Sequence, residues 1–227
     1  MDYIGNELEL FQYANNWKAY WSSVVGPHIK GSTLEVGAGL GGNVDLLIPF
    51  ADEYVALEPD PKLAQEILER PGLEVRVGTT ETMDDNKIYD TVLYIDVLEH
   101  IQNDRAEFLR AVRLLKTGGN LIVLCPAHQY LYSPFDKAVG HFKRYSKKDF
   151  RAFNDLGGDT ALRKLTYLDS TGMLASLANK TLLKSSLPTP KQIKFWDSVL
   201  VPMSKFTDKL SFGAVGKTVI GVWQKTG

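Results

Sequence analysis

Each thing this chain lacks removes a class of function. It has one cysteine, Cys125, in 227 residues. No disulfide can close within the chain, which points to a reducing compartment. It has no excess of charge: 26 Lys and Arg stand against 27 Asp and Glu, for a net charge of −1. That argues against nucleic acid or an anionic membrane bound through bulk charge, and leaves only a local patch for such partners. No apolar run reaches the length of a membrane span, so no stable membrane insertion is expected. The opening residues, Met1-Asp2-Tyr3-Ile4-Gly5-Asn6-Glu7, lack the basic and apolar regions of a secretion signal, and a cytoplasmic location is expected. There is no internal repeat and no low-complexity stretch. An ordinary globular balance remains, 44% hydrophobic and 23% charged, enough for one generous domain over residues 1–227.

Periodicity supplies the elements. Leu10, Tyr13, Ala14, Trp17, Tyr20, Trp21 and Val24 recur at helical spacing, which predicts a helix over 6–25, stopped by Gly26-Pro27. Apolar runs predict strands at Thr33–Val36, Tyr54–Leu57, Leu73–Val77, Asp90–Ile95 and Asn120–Leu124. Helices are expected between them, over about 42–50, from 61 through Arg70, and over 103–115. This alternation predicts a parallel, doubly wound α/β sheet. Beyond it come a loop over 125–145, a helix capped at Ser146, a strand over 161–168, helices near 169–184 and 191–210, and a last strand over 217–224. No linker divides the chain. It reads as an N-terminal lid helix (1–30), a cofactor-binding half (31–125) and an acceptor-side half (126–227).

The most telling stretch is Gly37-Ala38-Gly39-Leu40-Gly41-Gly42, where the first strand turns into a helix. Glycine is needed where φ is positive or where a ligand must touch main chain, and helix-start N–H groups can meet a ligand. Gly37, Gly39 and Gly42 fit the dinucleotide spacing G-x-G-x-x-G. Glu35, Gly37, Gly39 and Gly41 fit E-x-G-x-G-x-G. The carboxylate of Glu35 suits a cationic cofactor and would repel a pyrophosphate. Glu58 ends the second strand about 20 residues past the glycines, where an acid accepts bonds from ribose hydroxyls.

With Leu57-Glu58-Pro59-Asp60, Gly78-Thr79-Thr80, Asp96-Val97-Leu98-Glu99-His100 and Leu115-Lys116-Thr117-Gly118-Gly119, the first 125 residues resemble the class I S-adenosylmethionine (SAM) methyltransferases. Asn16–Trp21, Pro126–Asp136, Gly140–Tyr145 and Trp196-Asp197 resemble one bacterial subgroup of them. The resemblance implies a Rossmann-like seven-stranded sheet whose last strand is antiparallel. It implies SAM held at its methionine end by Glu35, Gly37, Ala38, Gly39 and Gly41, and at its ribose by Glu58 and Pro59. Thr79 or Thr80 would lie beside the adenine, and Asp96 and Val97 by the methionine end. S-adenosylhomocysteine would be the product.

No metal is called for. Asp96, Glu99 and His100 are nonetheless acceptable ligands, and similar clusters bind a divalent metal in some ubiquinone-pathway and small-RNA relatives. The loop after the fifth strand lies where such sheets bind ligands. It nominates His128 and His141 as general bases, and Tyr132, Asp136, Arg144 and Tyr145 as acceptor contacts. Trp17 and Tyr20 are nominated as acceptor contacts too, on a helix that would seal the core or cover the cofactor. Segments 172–183 and 193–210 would line a greasy acceptor pocket or a dimer face. The expected activity is methyl transfer to a small-molecule O, N or C nucleophile by a monomer or homodimer. A nicotinamide (NAD(P)) oxidoreductase and a non-catalytic SAM-binding protein are the alternatives.

Overall fold

In the computed structural model, residues 13–84, 88–156, 159–178 and 189–227 are described. The strands are β1 (Ser32–Val36), β2 (Glu53–Glu58), β3 (Leu73–Val77), β4 (Tyr89–Ile95), β5 (Leu115–Pro126), β6 (Thr160–Leu168) and β7 (Thr218–Lys225). They form one seven-stranded sheet in the order β3-β2-β1-β4-β5-β7-β6. β1 to β5 run parallel, and β7 lies antiparallel between β5 and β6. This is the sheet expected from the sequence.

The helices are α1 (Asn15–Val25), α2 (Val44–Leu47), α3 (Pro61–Glu66), α4 (Asp104–Arg113), α5 (Pro134–Ala138), α6 (Lys147–Asn154), α7 (Ser170–Ala178), α8 (Pro190–Phe195) and α9 (Val201–Leu210). Central strands are apolar on both sides because both sides are covered. In β4, Val92 and Tyr94 enter one core, with Phe108 and Val112 of α4 and Phe150 and Phe153 of α6. Leu93 and Ile95 enter the other, with Trp17, Tyr20 and Trp21 of α1, Val44 and Leu47 of α2, and Trp196.

Several boundaries depart from expectation, each for a tertiary reason. Of the helix expected over 6–25, α1 covers Asn15–Val25, and residues 1–12 lie outside the described ones. After the glycine turn, α2 is a single turn that tightens into a 3-10 turn at Ile48–Phe50. Pro49 cannot donate the next helical bond, and Phe50 packs its ring directly on Gly26. The helix expected through Arg70 ends at Glu66, because Ile67 swings into extended backbone. Its side chain is buried with Ala38 and Ala56, beneath Gly41. Arg70 instead turns back to pair with Asp45.

The 125–145 loop contains α5 and a 3-10 turn at Gln129–Leu131. The helix expected near 169–184 is described only as α7, since 179–188 fall outside. The helix over 191–210 is continuous but widens into a π-turn at Trp196–Leu200. Pro202 follows after Val201, and a widened turn relieves its clash with the carbonyl one turn back.

The core is tight at β7. A Cβ built on Gly221 would lie 2.3 Å from the Trp223 ring and 2.7 Å from Phe150. We expect Gly221→Ala to cost about 1–3 kcal/mol through overpacking, a fall of several degrees in the thermal midpoint. An unchanged midpoint would show that the ring moves aside freely.

Candidate functional site

The C-terminal ends of β1 to β5 share one edge of the sheet, and the chain is strained there. Gly37, Gly39 and Gly41 have φ of 71°, 57° and 72°. So do non-glycine residues: Asp96 after β4 (φ 54°), His128 after β5 (φ 68°) and Asp169 after β6 (φ 63°). Left-handed backbone in a branched or charged residue persists only where surrounding contacts impose it.

The glycine loop is tied to β2. The N–H groups of Gly37 and Ala38 donate to Leu57 O at 2.7 and 3.1 Å. The N–H of Gly39 donates to Glu58 Oε2 at 2.7 Å, and the N–H of Asp60 to Glu58 Oε1 at 2.9 Å. Gly39 is therefore not a free amide, because Glu58 already holds it. Pro59 sits between these two contacts. Each Glu58 oxygen retains a lone pair for a further donor.

Glu35 is buried beneath the loop and accepts from Tyr54 Oη at 3.0 Å and Asn43 Nδ2 at 3.1 Å. Burial pushes its pKa up to about 7 against those two bonds. Lys18 Nζ of α1 donates to Gly42 O at 3.0 Å, so α1 lies across the loop. Val97 closes the loop's other side, 2.7 Å from where a Gly37 Cβ would be.

At the end of β3, Thr79 is exposed and caps the short turn Thr80–Thr82. Thr80 is buried and gives its hydroxyl to Glu107 at 2.8 Å. Asp96 is open to solvent yet walled by protein, as a side chain in a crevice is. That enclosure pushes its pKa up to about 6, while His141, Lys217 and Arg144 pull the other way.

The residues nominated as acceptor contacts or bases divide into supports and open groups. Asp136 is fully buried. It accepts from Arg144 Nε at 2.7 Å and Nη2 at 2.9 Å, from both Ser133 groups, and it pairs with His141 Nδ1 at 2.9 Å. Burial would raise its pKa, but His141 and Arg144 bring it down to about 2. Tyr132 donates to His141 O at 2.6 Å. Tyr145 has no exposed surface and spans Leu98 O and Asp104 Oδ2. Trp17 packs on Trp196 with ring centres 5.8 Å apart, and Tyr20 donates to Asp208 at 3.0 Å.

Asp136, Tyr145, Trp17 and Tyr20, nominated as acceptor contacts, are thus held inside the protein by their own partners. His128 lies between the rings of Tyr130 and Tyr167, at 5.0 and 4.6 Å. Its Nε2 is buried without a partner.

Comparison with known proteins matches this geometry. A family described as "Methyltransferase domain" fits residues 34–121. That stretch therefore matches a methyltransferase domain. The chain is 25% identical over 197 residues to ajmaline N-methyltransferase of Rauvolfia serpentina, covering 81% of this chain and 60% of that protein. A SAM-dependent methyltransferase from Archaeoglobus fulgidus superposes with TM-score 0.62 at 16% identity, over 97% of each chain. Coclaurine N-methyltransferase, solved with N-methylheliamine and SAH, superposes with TM-score 0.62 at 16% identity, over 93% of this chain and 72% of that one.

In this chain the sheet brings one further group to the edge that sequence reading did not nominate. β7 is antiparallel, so its start meets the ends of β5 and β6: Thr218 pairs with Pro126 and with Leu168. Lys217 therefore projects at the same edge. Its Nζ lies 3.3 Å from Asp169 Oδ2 and 4.0 Å from the Trp196 ring centre. Burial lowers its pKa against the pull of Asp169. A lysine opening an apolar last strand was the available signal.

Glu99, His100 and His141 also converge, with ligand atoms within 4.8 Å of one another. Neither Glu99 oxygen accepts a hydrogen bond from nitrogen or oxygen; His141 Nε2 lies 3.9 Å from Oε1, and the Cys125 thiol lies against them. Burial and His141 hold His100 neutral, its pKa lowered to about 4. One carboxylate and two imidazoles are a donor set that fits a divalent cation.

Asp136 makes a pH prediction. Its folded pKa of about 2 lies below the ordinary 3.8. Its contribution is therefore complete above about pH 4 and is lost as the pH falls toward 2. We expect Asp136→Asn to destabilise the protein at neutral pH and to flatten the acid limb of the stability curve. An acid limb identical to wild type would place the ion pairs elsewhere.

Proposed function

We propose that this protein transfers the methyl group of SAM to an O, N or C nucleophile on a small molecule, releasing S-adenosylhomocysteine. The observation that carries this reading is Glu58, clamped between the Gly39 and Asp60 amides, with Glu35 and Asp96 on either side. An acid at the end of β2 accepts ribose hydroxyls. Acids flanking the glycine loop suit a ligand bearing a sulfonium and an ammonium, and oppose a pyrophosphate. The two similar N-methyltransferases support an amine among the possible nucleophiles.

The chemistry is an in-line displacement at a methyl group that SAM supplies already activated. The protein aligns the two reactants and excludes water. Gly37, Ala38, Gly39 and Gly41 bring main chain close to the cofactor. Asp96 faces the junction of cofactor and acceptor, and Thr79 flanks the adenine. A hydroxyl acceptor needs its proton removed. His128 offers an unpartnered Nε2, and His141 offers an Nε2 whose ring Asp136 orients. No metal is required in this reading, and Glu99 and His100 hold the loop that ends at His141: the N–H of Phe142 donates to Glu99 O at 2.8 Å.

Glu35 and Asp96, with pKa values near 7 and 6, must be ionised to favour a cation. SAM affinity is therefore expected to fall as pH drops from about 8 to about 5. A nicotinamide dinucleotide would bind better as they protonate. Calorimetry with SAM, S-adenosylhomocysteine, NADH and NADPH across that range separates the two. We expect Glu58→Gln to weaken SAM binding about tenfold. Unchanged affinity would remove the ribose assignment, and binding of nicotinamide alone would remove the methyltransferase reading.

For turnover, His128→Ala and His141→Ala should leave SAM affinity intact. Loss of the operative base should slow transfer to a hydroxyl acceptor about a hundredfold or more, and EDTA should leave the rate unchanged. No effect from either substitution would dismiss a histidine base. An EDTA-sensitive rate would assign the Glu99–His100–His141 cluster to a cation. Tight SAM binding with no product from broad metabolite pools would make this a binding protein.

A further inference from the structure

The continuous helix from Pro190 to Leu210 has two opposed faces. Ile193, Trp196, Val201 and Ser204 turn inward and are buried. Outward, Phe195, Val199, Met203, Phe206 and Leu210 stand exposed, Phe206 by 67% and Leu210 by 64%. Their spacing keeps them on a single stripe. α7 lies alongside, through Ser170 to Thr207 and Thr171 to Ser204, and adds exposed Leu174 and Leu177.

Charge on this face has one sign. Lys191, Lys194 and Lys209 are exposed and Lys205 half-buried. Among the described residues, none of the four lysines forms an ion pair. Both acids of the helix point inward. Asp197 accepts from the Asn16 and Trp17 N–H groups. Asp208 accepts from Tyr20 and from the Asp169 and Ser170 N–H groups. α7 carries no charged residue. A chain of net charge −1 thus presents one local surface that is both apolar and cationic.

We propose that this face docks on the surface of an anionic lipid bilayer. Apolar side chains flanked by lysines are what an interfacial helix buries at the headgroup boundary. No helix among the described residues is long and apolar enough to cross a membrane, so the contact lies on the surface. A second copy of the chain fits less well, because a two-fold contact through this face would set lysines against lysines.

Co-sedimentation with phosphatidylcholine vesicles, and with vesicles containing phosphatidylglycerol, tests this without cofactor or acceptor, so its outcome is independent of methyl transfer. The protein should pellet with the anionic vesicles and be released by high salt. The triple substitution K191E/K194E/K209E should weaken binding about a hundredfold, at about 1 kcal/mol for each lysine. Phe206→Ser with Leu210→Ser should weaken it at every salt concentration while leaving the circular dichroism spectrum unchanged, since both side chains lie outside the core. Three results would overturn the proposal: no pelleting by the folded wild type, equal pelleting with uncharged vesicles, or a wild-type dimer that the Phe206 and Leu210 substitutions convert to monomer.

Discussion

The carboxylate of Glu58 holds the working edge of this protein together. It closes its own turn through the Asp60 amide and reaches across to the Gly39 amide, fastening the glycine loop of β1 to the end of β2. Hydrogen bonds to a charged acceptor are worth about 1.5–3 kcal/mol each. That is enough to hold a loop with three left-handed glycines in one conformation. Ile67 supports the loop from below, Val97 from the side, and Lys18 joins it to α1. These contacts fix the glycine loop at the strand ends.

Acids gather near that edge, and the protein balances them unevenly. Asp136 is neutralised by Arg144 and His141 and titrates at about 2. Glu35 and Asp96 are enclosed with weaker compensation and titrate near 7 and 6. Carboxylates pushed apart in this way mark different duties. The first ties Ser133, His141 and Arg144 together in the loop after β5. The others stay poised to gain from a cationic ligand. Lys217, pressed against Asp169 and the Trp196 ring, supplies positive charge at the far end of the same edge.

The relatives locate this chain in a fold rather than at a substrate. Superpositions at 16% identity share the sheet. The family match ends at residue 121, so α5, the π-turn and the α8–α9 helix all lie outside it. The lysine-flanked apolar stripe belongs to that part.

How much was legible in the sequence depended on how far each feature reached along the chain. The strand positions, the glycine turn and Glu58 are written in local pattern: apolar runs, glycines where φ is positive, an acid closing a strand. Those patterns act over a few residues, so the sequence by itself determined where the strands lie and which end of β1 carries the glycine turn; the antiparallel last strand came only with the family resemblance. The early end of α3 was not legible, because Ile67 leaves its helix only to fill space under Gly41. Nor was the commitment of Asp136, Tyr145 and Tyr20, whose partners are set by packing. Lys217 joined Asp96 and Asp169 only because β7 inserts antiparallel between β5 and β6, bringing the start of the last strand to the ends of the others. Which groups are consumed as supports and which stay open to a ligand was decided by tertiary structure alone, since burial and pairing exist only once distant segments meet.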